Sequence, residues 1–99
     1  MAAVSDVEDA LVGLQVRIAA AARGSNELES VYLYVRKKLT AAKSDLEEVS
    51  FFDQLVSAID KSESLARAGR FGEAENLILE ASKTLMHRSG SEDRLRRLY

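Results

Sequence analysis

Cysteine and proline are absent from the 99 residues, glycine occurs five times and histidine once. Without cysteine there is neither a disulfide framework nor a thiolate metal site, and the redox compartment is left open. One histidine, with carboxylates spread along outward helix faces, supplies no spacing that would assemble a metal centre. A long apolar run is missing as well. A membrane-spanning helix needs about 20 such residues, and the longest candidate, residues 10–22, is shorter and contains Gln15 and Arg17. Basic residues do not precede that run either. Asp6, Glu8 and Asp9 stand where a secretory signal would be positive, so the chain reads as intracellular and cytoplasmic. Excess charge of one sign is lacking too: a net charge of −2 argues against wrapping nucleic acid through the overall field.

What is present points to helix. The chain is 46% hydrophobic and 30% charged, and it is rich in Ala, Leu, Glu, Lys, Arg and Ser. Those residues lose little freedom in a helix, and no proline interrupts them. Residues 1–99 fit one domain, which buries roughly two thirds of its unfolded surface. The expectation is an all-α fold, a four- to five-helix bundle of antiparallel helical hairpins with almost no strand.

The first helix has a start signal at Ser5, because Glu8 three residues on completes a capping box. Asp6, Glu8 and Asp9 suit the positive end of the helix dipole. Val7, Leu11, Leu14, Ile18 and Ala21 draw one stripe down it, and Gly24 after Arg23 is a C-terminal stop. At about 100° per residue, Val12, Val16 and Ala19 fall opposite that stripe. A helix apolar all round is buried all round, so the first helix is expected either to be wrapped by the others or to be shared with another chain.

The second helix is expected from Asn26 as N-cap. Leu28, Val31, Val35, Leu39, Ala42, Leu46 and Val49 keep to one face for some six turns, with Tyr32 beside them and Leu33, Tyr34, Lys37 and Lys38 away from it. Ser44 with Glu47 and Ser50 with Asp53 are possible capping boxes; a break near Ser50 is preferred, because the stripe changes register at Phe51-Phe52. A third helix, about 51–68, places Phe52, Leu55, Ile59 and Ala66 inward and Asp53, Asp60, Lys61 and Ser64 outward. The fourth, about 71–87, places Phe71, Ala74, Leu77, Ile78, Ala81 and Leu85 inward, with Leu79 and Met86 as a minor second stripe. Ser91 is a cap for a short helix over 92–99, whose Leu95, Leu98 and Tyr99 would cover that stripe.

Residues 65–81 form the organising stretch: a helix ending at Gly69, a tight turn, and a helix folding back from Phe71. Ala66, Ala68, Ala74 and Ala81 allow close approach while Phe71 and Ile78 fill the seam. The order and spacing of Gly69, Phe71, Ala74, Ile78 and Ala81 resemble half of a tetratricopeptide repeat. The first half departs from that pattern: its large aromatic would fall at Ala58, its leucine at Lys61, its small residue at Ser62 and its closing proline at Met86. No second copy follows at a 34-residue period. A related likeness is to microtubule-interacting-and-trafficking domains, and both resemblances imply binding of peptides or helices in grooves, without chemistry.

Catalytic groups are poorly supplied. His87 lies near a helix end beside Arg88, where a solvated or capping imidazole is the ordinary role. Glu47-Glu48 and Glu73 with Glu75 read as surface pairs, and Gly69-Arg70-Phe71-Gly72 is no phosphate loop. Arg36, Lys37, Lys38 and Lys43 beside Tyr32 and Tyr34 are the best nucleic-acid candidates, since cations neutralise phosphate and tyrosines stack on bases. Glu29, Asp45, Glu47 and Glu48 flank and oppose them. Charge also segregates along the chain: residues 1–82 carry 9 basic and 14 acidic side chains, residues 83–99 carry 5 and 2.

The off-core apolar residues make the stronger case. Val12 with Val16, Leu33 with Tyr34, and Leu79 with Met86 form groups on three helices, and with Lys37 and Lys38 they are the expected partner-binding residues. The function expected is non-enzymatic protein–protein interaction, as an adaptor, assembly subunit or chaperone-like module, with a protein partner or a homo-oligomer and no cofactor. The alternative is a small helical nucleic-acid-binding regulator using Lys37, Lys38, Arg94, Arg96 and Arg97.

Overall fold

A computed structural model describes residues 2–24 and 28–89, and these are all helix and tight turn. Five helices follow in order: α1 Ala2–Ala21, α2 Leu28–Ala41, α3 Lys43–Glu48, α4 Phe52–Arg67 and α5 Phe71–Ser89. α1 packs against α2 and α5, α5 against α4, and α2 closes the bundle against α4 with a lighter contact. The all-α bundle of packed hairpins expected from composition is therefore what forms. Its fifth helix is a different one, because α3 splits from the second predicted helix, while the helix expected over 92–99 lies outside the described residues. So does the Asn26 cap.

α1 starts a turn earlier than its capping signal. Ser5 is an exposed helical residue, and the Ser5–Glu8 capping box does not mark the start. The extra turn buries Val4 to 1% exposure ahead of Val7, Leu11, Leu14, Ile18 and Ala21. Full burial of a valine contributes about 1.5–3 kcal/mol, against about 1 kcal/mol for a cap, so burial sets the start. The helix ends as expected, with Gly24 at φ +107°.

The six-turn stripe of the second predicted helix is interrupted at Ala42. There φ is −101° and ψ 11°, and the Ala42 N–H is shared between the carbonyls of Lys38 and Leu39. The bend lets α3 pack against α1 and α4 as well as α2, and Leu46 is fully buried in the common core. Neither serine box is used. Ala42 and Phe51 are the N-caps of α3 and α4, without side-chain capping bonds. Ser50 instead ends α3 in the left-handed region at φ 55°. Phe51 N–H donates to Leu46 O and Ser50 N–H to Glu47 O, both at 3.0 Å, which is a Schellman closure.

The α4–α5 turn repeats that closure with glycine. Gly69 sits at φ +81°, its N–H donates to Ala66 O at 3.0 Å, and Arg70 N–H donates to Leu65 O at 2.9 Å. Leu55, Ile59, Ala66, Ala74, Ile78, Ala81 and Leu85 are buried in the common core as expected. Of the two adjacent phenylalanines, Phe51 is the buried one and Phe52 is half-buried against it, the reverse of the predicted emphasis.

Candidate functional site

Among the described residues, the large hydrophobic side chains left exposed are confined to α1 and α2. Val12 is 53% exposed, Val16 62%, Leu33 56% and Tyr34 53%. α1 is thus not wrapped by its own domain; the stripe from Val4 to Ala21 is covered and the opposite side is open. Between the two helices runs a groove of about 540 Å³, lined on α1 by Asp9, Ala10, Gly13 and Arg17 and on α2 by Ser30, Val31 and Tyr34. Val12 and Val16 each precede a groove residue and so stand about 100° round the helix from it, on the flank away from α2.

Gly13 has no internal reason to be glycine. It lies mid-helix and exposed, its φ is not positive, and a Cβ built there would meet nothing within 4 Å. An exposed mid-helix glycine is about 1 kcal/mol less favourable than alanine.

The two residues paired in the sequence reading, Leu33 and Tyr34, part company. Tyr34 faces the α1 groove, whereas Leu33 lines a depression shared with Glu29, Arg36, Glu63 and Arg67 toward α4. Leu79 and Met86 on α5 are half-buried rather than exposed. The predicted partner-binding residues therefore do not form one surface; Tyr34 lines the α1–α2 groove, and Val12 and Val16 lie exposed on the α1 flank beside it.

The basic cluster is also divided. Arg36 turns toward α4, where its guanidinium donates to Asp60 at 2.9 Å and to Glu63 at 2.8 Å. The hydrogen bond to Glu63 is the main cause that raises its pKa further above the ordinary arginine value. Lys38 lies over the Tyr34 ring, 5.4 Å from its centroid, Lys43 over Phe52 at the same distance, and Lys37 is exposed. Arg94, Arg96 and Arg97 lie outside the described residues.

A second groove of about 750 Å³ follows the α4–α5 hairpin, with Leu65 and Leu77 flanked by Asp60, Lys61, Ser64, Glu73, Asn76 and Glu80. The accessible surface of its lining is mostly apolar, as it is in the α1–α2 groove, with charged side chains at its edges. Among the described residues no group of three or more His, Asp or Glu side chains could hold a metal ion, and no helix is long and apolar enough to cross a membrane. The groove residues Asp9, Gly13 and Arg17 escaped the sequence reading. Their signal was the glycine itself, placed mid-helix in a chain that has few. The chain matches no family model, no curated protein and no solved structure.

Proposed function

We propose that the chain is a non-enzymatic helical interaction module whose docking surface is the open side of α1 together with the Tyr34 edge of α2. The carrying observation is that Tyr34 stands exposed in a groove whose α1 wall contains a glycine the fold itself does not require, with Val12 and Val16 exposed on the adjoining flank of α1. Burying such side chains contributes about 1.5–3 kcal/mol each, set against an association cost of about 4–15 kcal/mol. A face of this size thus supports a moderate, reversible association. The resemblance of residues 65–81 to half of a tetratricopeptide repeat is in keeping with a groove-binding role.

The test is cross-linking and affinity capture of the full tagged chain in cells that express it natively, comparing it with Val16→Asp and Tyr34→Ala. Circular dichroism melting first establishes that the variants are folded. The expected result is a set of captured chains, cross-linked to α1 and α2, that both variants lose. An identical set with wild type and variants overturns the reading.

A further inference from the structure

We infer that the occupant of the α1–α2 face is a second copy of this chain, its α1 laid antiparallel to the first across a two-fold axis beside Gly13. This rests on the reading of α1 as the docking surface and deepens it by naming the partner. Charge along α1 is segregated. Asp6, Glu8 and Asp9 precede the centre, and Arg17, with Arg23 just past the helix end, follows it. Asp9 and Arg17 both line the groove and stand four residues to either side of Gly13, which is about 6 Å in each direction along the axis.

A two-fold through that point places Asp9 of each copy opposite Arg17 of the other, at both ends of the crossing. A parallel pairing would instead set Asp9 against Asp9 and Arg17 against Arg17, and like charges facing one another disfavour it. Antiparallel alignment also opposes the two helix dipoles. Because a perpendicular two-fold keeps each flank on its own side, Val12 and Val16 of both copies gather along one flank of the seam. Tyr34 of each copy walls the other flank from across the groove. Gly13 meets its own counterpart at the centre, where the lack of a side chain lets the helix axes approach closely, as small residues do at helix crossings. Self-contact of one patch is the geometry that a two-fold dimer requires.

A face one helix wide falls at the low end of interface sizes. The association expected is therefore weak and concentration-dependent.

Sedimentation equilibrium of the full chain, from micromolar to near-millimolar concentration at low salt, tests this with four variants. Asp9→Arg and Arg17→Asp should each weaken dimerisation at least tenfold, since each sets like charges at both ends of the crossing. The double swap, Asp9→Arg with Arg17→Asp, should restore it. An equimolar mixture of the two single variants should also dimerise, because one chain then presents only arginines and the other only aspartates. Gly13→Leu should fold at least as well as wild type yet be monomeric. A monomer at every concentration, or a dimer indifferent to the reversals, overturns the self-pairing. The broader reading is scored separately, since loss of cross-linked partners on Val16→Asp in cells would stand with a chain that is monomeric in isolation.

Discussion

Ser62 is fully buried on α4, yet it is bonded on both sides. Its Oγ donates to Ala74 O of α5 at 2.9 Å, which uses its one proton, so Tyr32 Oη of α2 at 2.6 Å must be the donor to it. Three helices meet in that chain of bonds. Ser62→Ala leaves a buried phenol without an acceptor and should destabilise by about 1–3 kcal/mol, whereas Tyr32→Phe should lose about 0.5–1.5 kcal/mol. The double variant should cost less than the sum, a coupling readable in urea denaturation. The same tyrosine supplies a pH readout. Burial raises its pKa above the ordinary 10.0, with the Ser62 hydrogen bond acting the other way. The unfolded chain therefore ionises first: this contribution is complete below about pH 10 and is lost as pH rises through the higher folded value. Tyr32→Phe should flatten that alkaline decline relative to wild type.

At the scale of elements, two helix ends are built alike from different residues. α4 ends at Gly69 and α3 at Ser50, both in the left-handed region and both closed by the same pair of backbone bonds. Ser50 carries a side chain where φ is 55°, a conformation that disfavours L-residues by roughly 1–2 kcal/mol. Ser50→Gly relieves this but adds unfolded-chain freedom worth up to about 1 kcal/mol. The net expectation is a gain of about 0.5–1 kcal/mol, seen as a rise of several degrees in the thermal midpoint, while Gly69→Ala should lower it. The α3 terminus has a further support that Gly69 lacks. Arg88, from the end of α5, donates to Val49 O at 3.2 Å and Ser50 O at 2.9 Å and lies 5.2 Å from the centroid of the Phe51 ring. A cation at a helix C-terminus is favourable for the orphan carbonyls there.

Across the whole molecule, α1 has two sides with opposite energetic roles. Leu14 is fully buried among the core residues, so Leu14→Ala should cost about 2–5 kcal/mol. Val16, two residues on and 62% exposed, should tolerate Asp within about 0.5 kcal/mol in the isolated chain. Chemical denaturation of the two variants side by side measures that asymmetry. The exposed valines on that outer side contribute little to folding, in keeping with the proposed docking role.

Composition and periodicity by themselves determined the all-α class, the core stripes of α1, α4 and α5, the reversals at Gly24 and Gly69, and Val12 and Val16 as off-core residues. Each of these depends on one helix axis or one turn, where the 3.6-residue repeat and the freedom of glycine act locally. Tertiary packing alone decided the rest. It extended α1 to bury Val4, bent the second stripe at Ala42 to seat Leu46, and matched Ser62 with Tyr32 and Arg36 with Asp60 and Glu63. It also sent Leu33 and Tyr34 to different sides of α2. A periodicity fixes an angle about one axis. Which neighbour lies at that angle is set by the other helices, and so Gly13 becomes the wall of a groove only once α2 is in place beside it, with the off-core valines left on the outer flank of α1.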